Sequence, residues 1–135
     1  MQQVLAKYGD RIRFTYRHYP LPNHPAARPA AEASLCANDQ GQFWAFHDRL
    51  FTDFNKLSEA DFKAHAAALN LDAAKFDACV NTRRFKEVVE NDVKEGEALG
   101  VTGTPAFFIN GRALEGAQPL EAFTRLIDEE LAAKR

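Results

Sequence analysis

The chain has 135 residues, of which 46% are hydrophobic and 27% are charged, so it is large enough for one globular domain with a buried core. Its formal net charge of −2 provides no basic field for nucleic acid and no polybasic patch for a membrane surface. No apolar run approaches the roughly 18 residues of a membrane-spanning helix, so we expect neither nucleic acid nor a membrane as partner.

The first predicted elements are a short helix and a strand. Val4, Leu5 and Tyr8 share one helical face and Gly9 is suited to end a helix, which predicts a helix over residues 2–8. Apolar residues then alternate with basic residues and threonine over residues 11–17. This period of two predicts an edge strand over residues 12–16, with one apolar and one basic face.

The middle of the sequence predicts a block of helices. Prolines at 20, 22 and 25 indicate an extended connector over residues 19–25. Helices follow over about residues 26–40 and 43–51, and the apolar residues of the second cover more than one face, which predicts wide burial. Further helices begin at three N-caps, Ser58, Asp72 and Thr82, and the last of them ends at Gly100 with Val88 and Leu99 facing inward.

The last part of the sequence predicts a β-hairpin and a helix. The apolar run 106–109 predicts a strand that leads into Asn110-Gly111, a strong signal for a two-residue turn, and residues 112–114 are predicted to form the returning strand. Pro119 then begins a helix with apolar residues at spacings of three and four. Helices between a βα part and a ββα part predict an α/β fold with an inserted helical subdomain.

Several segments, taken in order, resemble DsbA-like thioredoxin-fold disulfide oxidoreductases. Residues 99–111, with the sequence LGVTGTPAFFING, resemble the C-terminal half of that family, and residues 16–21, 24–27, 40–44 and 47–51 resemble its middle. The resemblance covers nearly the whole chain. It implies a single DsbA-like domain over residues 1–135, with thioredoxin-like parts 1–22 and 100–135 and a helical insertion over residues 25–99.

The resemblance also implies that a central element is absent. In that family a strand and a Cys-x-x-Cys motif precede the segment that resembles residues 2–8, and this sequence contains neither. We therefore expect a truncated thioredoxin-like fold with no catalytic residue. The family function, thiol–disulfide exchange, would be inactive as written, and the alternative is a non-catalytic binding or self-associating scaffold that keeps the proline groove.

The resemblance assigns a substrate groove to the segment before the hairpin. It implies that the peptide bond between Thr104 and Pro105 is cis and that Val101, Thr102 and Gly103 complete half of a groove for an extended polypeptide. The family works in the periplasm or outside the cell, whereas the sequence itself carries no signal peptide and leaves the compartment unknown.

Without the central strand, two sheet edges would be exposed. Each buried backbone group left without a hydrogen bond would cost roughly 1–3 kcal/mol, so the gap has to be filled. The flanking strands could close on each other, a second polypeptide could add a strand, or copies of the chain could associate. We expect a homo-oligomer, because exposed strand edges recruit identical chains readily.

The two cysteines, Cys36 and Cys79, are 43 residues apart, and neither belongs to a Cys-x-x-Cys motif. Neither is predicted at a helix N-terminus, where a thiolate would be stabilised, so catalysis is the least favoured of three interpretations. They could be small buried hydrophobic residues. They could also form a structural disulfide, because both fall in the helical block, where some relatives of the resembled family carry a second pair.

No metal or cofactor site is predicted. The four histidines, at positions 18, 24, 47 and 65, lie in different predicted segments, and no carboxylate completes a ligand spacing. The sequence also has no glycine-rich phosphate loop and no Ser/His/Asp arrangement.

Overall fold

Seven α-helices, a short 3-10 helix (Gly9–Arg11) and a two-stranded antiparallel sheet make up the regular structure of residues 1–133, the part of the chain that the computed structural model describes. The elements are α1 (Gln2–Tyr8), α2 (Ala27–Asn38), α3 (Phe43–Thr52), α4 (Glu59–Ala68), α5 (Ala73–Asn81), α6 (Lys86–Ala98), β1 (Ala106–Ile109), β2 (Arg112–Glu115) and α7 (Leu120–Ala133). None of these helices is long and apolar enough to span a membrane.

The chain forms two compact units. Residues 1–17 and those from 97 onward make one of them, here called the hairpin unit. Residues 18–96 make the other, here called the helical unit. The helical unit therefore interrupts the hairpin unit in the sequence, and each has a core of its own.

The core of the hairpin unit forms between its two terminal helices and the sheet. Val4 and Tyr8 from α1 are buried with Phe123 and Ile127 from α7, as the helical spacing of both segments predicts. Phe107 of β1 meets Phe123 edge to face, with ring centroids 4.8 Å apart. The helices predicted at the two ends of the sequence are thus confirmed, although Leu5, predicted on the same face as Val4 and Tyr8, is 37% exposed.

The hairpin has the register that its turn residues predict. Asn110 and Gly111 have φ angles of 50° and 84°, the left-handed pair that a two-residue turn requires. Ile109 therefore pairs with Arg112, and Phe107 pairs with Leu114.

The strand predicted over residues 12–16 is wrong. Exposure does alternate along this segment as expected, with Ile12, Phe14 and Tyr16 half-buried and the residues between them exposed. Within residues 1–133, however, the sheet contains only β1 and β2. The alternation identifies an extended backbone with two different faces, whereas a strand also needs a ladder with a neighbouring strand.

The core of the helical unit is built around α2. Small residues on this helix are buried against aromatic rings from the neighbouring helices, and α2 packs on α3, α4 and α5. The fully buried members include Ala33, Ala37, Phe46, Phe62 and Phe76. Alternating small and large side chains in this way lets the helices approach closely while the rings fill the space between them.

Two of the three predicted N-caps are confirmed. Ser58 Oγ accepts a hydrogen bond from the backbone N–H of Asp61 at 3.1 Å, and the Asp61 carboxylate accepts one from the backbone N–H of Ser58 at 3.0 Å, a complete capping box. Asp72 Oδ1 accepts a hydrogen bond from the backbone N–H of Lys75 at 3.0 Å at the start of α5.

The third predicted cap, Thr82, is wrong. Its hydroxyl donates to the carbonyl oxygen of Ala78 at 2.8 Å, so it closes the end of α5, and α6 begins only at Lys86. Arg83 follows with a φ of 50° and donates to both carboxylate oxygens of Glu32, at 3.1 and 2.7 Å. Glu32 is only 6% exposed, and this bidentate pairing accounts for its burial.

Several apolar side chains predicted to be buried are exposed. In α3, Trp44 is 47% and Phe51 is 65% exposed, although Phe46 on the same helix is fully buried. In and after α6, Val88 is 42% and Leu99 is 56% exposed, whereas Val89 is buried. Only one stripe of each helix faces the core in this structure.

Gly96 allows α6 to approach Tyr19 within the helical unit. A methyl group at this position would lie 2.6 Å from Cε1 and 2.7 Å from Cδ1 of the Tyr19 ring. Such distances require the ring or the helix to move.

We therefore expect Gly96→Ala to lower the free energy of unfolding by about 1–2 kcal/mol in urea denaturation. The overpacking cost of about 1–3 kcal/mol exceeds the gain in helix propensity of up to about 1 kcal/mol. In a Tyr19→Ala background the same substitution should be neutral or stabilising. Equal losses in both backgrounds would show that the ring is not the obstacle.

Candidate functional site

The segment assigned to a substrate groove lines a small cavity in the hairpin unit. This cavity has a volume of about 210 Å³ and is bordered by residues 99–108 and by three residues of the returning chain, Ala113, Glu115 and Gly116. All five residues predicted for the groove lie in its wall: Val101, Thr102, Gly103, Thr104 and Pro105.

The backbone around Pro105 is tied to the hairpin. The Thr104–Pro105 peptide bond is cis, and the carbonyl oxygen of Pro105 accepts a hydrogen bond from the N–H of Gly116 at 2.8 Å. Thr102, Thr104 and Pro105 are exposed, whereas Val101 is half-buried. The groove wall therefore consists of backbone and short polar side chains, and the hydrogen bond between Pro105 and Gly116 anchors it to the hairpin.

The wall of the groove is mostly uncharged. Its lining residues include neither a cysteine nor a histidine, and Glu115 is its sole ionisable side chain. Among residues 1–133, no group of three or more His, Cys, Asp and Glu side chains is placed to hold a metal ion.

Cys36 and Cys79 form a disulfide within the helical unit. It joins α2 to α5 across a Cα–Cα distance of 5.8 Å, and the two residues are 2% and 6% exposed. Of the three interpretations left open by the sequence, the structure confirms the disulfide. The interpretation of the two cysteines as separate buried hydrophobic residues is therefore wrong. Both cysteines belong to the helical unit and neither lines the groove.

Two histidines and an aspartate come together in the helical unit. His18 is 6% exposed, its backbone N–H donates to Asp92 Oδ2 at 2.9 Å, and its ring lies edge-on to Phe43. Burial lowers the pKa of His18, while Asp92 opposes this shift and His47 adds to it. His47 also lies between Trp44 and Phe51 along α3: its ring meets that of Trp44 edge to face and is tilted against that of Phe51.

A third histidine has a structural role. Arg49 Nε donates a hydrogen bond to Nδ1 of His65 at 3.2 Å. Its Nε2 lies 3.4 Å from the carbonyl oxygen of Lys56. These contacts use both ring nitrogens of a residue that is 2% exposed.

A sequence profile described as Thioredoxin matches residues 1–129, nearly the full length of the chain. The chain belongs to the thioredoxin family. Its α/β architecture, with a hairpin and a block of helices, is that of a thioredoxin-like fold with additional helices, as the fold class predicted from the sequence requires.

Curated relatives of this thioredoxin-family chain are much longer proteins. It is 38% identical over 136 residues to a protein named Na(+)/H(+) antiporter NhaA 1 from Salinispora arenicola, a match that covers 100% of the chain and 21% of the relative. It is 35% identical to NhaA 3 of Salinispora tropica, again over 100% of the chain and 21% of the relative. The NhaA protein of Herminiimonas arsenicoxydans is 37% identical over 91% of the chain and 20% of its own length. The chain thus spans about a fifth of these relatives.

Sequence reasoning missed the polar groups that surround the disulfide. Lys75 precedes Cys79 by four residues on α5, a spacing that places two side chains on one helical face and that was visible in the sequence. Arg84 and Asp39 pair through Nη1 and Oδ2 at 2.6 Å, and no local pattern connects residues so far apart.

Replacing both cysteines by alanine should lower the free energy of unfolding of the chain by roughly 4 kcal/mol, because the unfolded chain would no longer be constrained over this 43-residue separation. Chemical denaturation monitored by circular dichroism measures the loss. Adding a reductant should then lower the free energy of unfolding of the wild type but leave that of the double variant unaffected. A double variant as stable as the oxidised wild type would contradict this expectation.

Proposed function

We propose that this thioredoxin-family chain is the polypeptide-binding part of a DsbA-like thiol–disulfide oxidoreductase and that the groove formed by Val101–Pro105 holds an extended substrate. The observation that carries the proposal is the cavity of about 210 Å³ whose wall contains all five of these residues. The thioredoxin match over residues 1–129 supports the reaction class.

The proposal assigns binding, and not redox turnover, to these 135 residues. The sequence has two cysteines, and both are joined in the buried disulfide of the helical unit. Thiol–disulfide exchange beside Pro105 requires an accessible thiolate, which neither cysteine supplies there. Turnover would therefore depend on a Cys-x-x-Cys pair outside residues 1–135, and reading the gene in frame for such a motif tests that requirement.

Thr104→Arg should weaken binding of an extended polypeptide by about tenfold, equivalent to about 1.4 kcal/mol. Thr104 is exposed in the wall of the groove, so a longer, charged side chain would occupy the space without disturbing the core. Fluorescence anisotropy with a labelled, reduced and alkylated polypeptide measures the affinity.

Thr52→Arg is the matched control, because Thr52 is also exposed but lies at the end of α3 in the helical unit. This variant should bind as tightly as the wild type. If Thr104→Arg bound equally well, or if both variants lost affinity alike, the groove would not be the binding site.

The relatives favour a second candidate, a non-catalytic module associated with a transporter. Proteins named Na(+)/H(+) antiporter are up to 38% identical to the whole chain, and four fifths of each lies outside the match. In this alternative the chain is a thioredoxin-like binding scaffold that works beside an antiporter. It would use the same groove and would need no cysteine pair.

In either role we propose that the chain self-associates through β1. Ile109 pairs with Arg112 next to the turn, and the N–H of Gly116 bonds to the carbonyl of Pro105, so the hydrogen-bonded pairs alternate along the ladder. The N–H and C=O groups of Ala106 and Phe108 therefore point away from β2. Within residues 1–133 no third strand covers that edge.

Phe108→Lys should reduce self-association at least about tenfold, because paired lysines at the joined edges would repel each other. Light scattering over a micromolar concentration range should give a mass of two chains for the wild type. Phe51→Lys is the control, since Phe51 is 65% exposed on α3 and Phe108 is 41% exposed on the sheet. A wild type that stays monomeric throughout would contradict this proposal.

A further inference from the structure

A cleft of about 720 Å³ in the helical unit is lined by both cysteines of the disulfide. The disulfide is therefore part of a cavity wall and is not enclosed by the hydrophobic core on all sides. The remaining lining residues are mostly polar or charged: Asp39, Gln40, Lys75, Ala78, Thr82 and Arg84.

The walls of this cleft are fixed by hydrogen bonds. The side chain of Gln40 accepts from the backbone N–H of Asp72 at 2.8 Å and donates to the carbonyl of Asp72 at 3.2 Å. Arg84 Nη1 also donates to Asp39 Oδ2 at 2.6 Å, and both residues line the cleft. These contacts hold the end of α2 against both ends of α5, so the cleft is a built feature of the unit.

The charge of the lining is positive. Lys75 and Arg84 contribute two cations and Asp39 contributes one anion, which leaves a net charge of +1. Arg84 is neutralised by Asp39, whereas the ammonium group of Lys75 has no ion-pair or hydrogen-bond partner among residues 1–133. Lys75 lies one helical turn from Cys79, so the unpaired charge is close to the disulfide.

We propose that the Cys36–Cys79 disulfide is a reducible site in the folded protein and that its reductant is a small thiol carrying carboxylate groups. The cleft admits a molecule of that size, and Lys75 attracts its negative charge. Cys79 is the more exposed of the two cysteine residues, at 6% against 2%, so the proposal places the attack on its sulfur.

The exchange proceeds in two steps. The thiolate of the first small thiol attacks Cys79 Sγ, the bond between the two cysteine sulfurs breaks, and Cys36 leaves as a thiolate that takes a proton from water. A second thiolate attacks the sulfur of the bound small thiol and releases Cys79 as a thiolate, which also takes a proton from water. Two small thiols are thus oxidised to one disulfide, and the protein disulfide is reduced to two thiols.

The competing mechanism is reduction through unfolding. In that case the thiol would attack only chains in which the helical unit has opened, and the rate would follow the unfolding equilibrium. Such a rate rises steeply with low concentrations of urea. It would be indifferent to the charge of Lys75 in the folded state.

Reduction of the full chain by glutathione and by cysteamine distinguishes the two mechanisms. Glutathione carries carboxylates and cysteamine carries an ammonium group, and both are compared at equal thiolate concentration and low ionic strength. Samples are quenched by alkylation and the modified cysteines are counted by mass spectrometry. We expect glutathione to react faster, with a rate that changes little at low urea concentration.

Lys75→Glu should lower the ratio of the glutathione rate to the cysteamine rate roughly threefold to tenfold, because two units of charge change near the attacked sulfur. Lys63→Glu makes the same change at an exposed site on α4 outside the cleft and should leave the ratio unaltered. Lys75→Gln should give an intermediate value and replaces Lys75→Glu if that variant unfolds. The proposal would be overturned if glutathione and cysteamine reacted at equal rates, if substitutions at position 75 left the ratio of those rates unaltered, and if both rates rose with urea as global unfolding does.

Discussion

The turn at Asn110 and Gly111 is the constraint on which the hairpin unit depends, because it fixes the side of β1 to which each residue belongs. Both residues adopt positive φ, which sets Ile109 opposite Arg112 and Phe107 opposite Leu114. A shift of one residue would turn Phe107 away from Phe123 and bring Phe108 into its place. The register therefore determines the buried ring, the exposed ring and the free edge beside the groove.

The helical unit depends on a different constraint, the small side chains of α2. Ala33 and Ala37 are fully buried and allow neighbouring helices to come close enough for Cys36 and Cys79 to approach within a Cα–Cα distance of 5.8 Å. Glu32 on the same helix is neutralised by Arg83 from the turn after α5. One helix thus supplies an apolar contact, a covalent bond and an ion pair to the same part of the helical unit.

Much of the fold could be predicted because the signals for it are local. The capping box at Ser58, the cap at Asp72 and the turn at Asn110 each depend on residues no more than a few positions apart. Thr82 was misassigned because the same hydroxyl can cap a helix that follows or bond back to one that precedes. The prediction of a strand at residues 12–16 was wrong because strand pairing depends on two segments and cannot be found from the sequence of one.

The candidate site was predictable only where the sequence resembles a family. The five groove residues form one continuous run, so their shared cavity follows from their proximity in the chain. The disulfide could be named only as one of three interpretations, because the approach of α2 and α5 depends on packing across 43 residues. The charges that surround it were missed for the same reason, since Arg84 and Asp39 meet only after the helices have docked.

The separation of the two cores has a consequence for how the chain responds to reduction. The loop closed by Cys36 and Cys79 lies wholly within residues 18–96, and no cysteine belongs to the core formed by Val4, Tyr8, Phe123 and Ile127. Reducing a disulfide that closes a loop of this length lowers the free energy of unfolding by roughly 4 kcal/mol. This is a large part of the roughly 5–15 kcal/mol that stabilises a typical domain. That loss falls on the helical unit, whereas the register of the hairpin is set by its own turn. Reduction would therefore loosen the helices around α2 and leave the local geometry of the groove beside Pro105 in place.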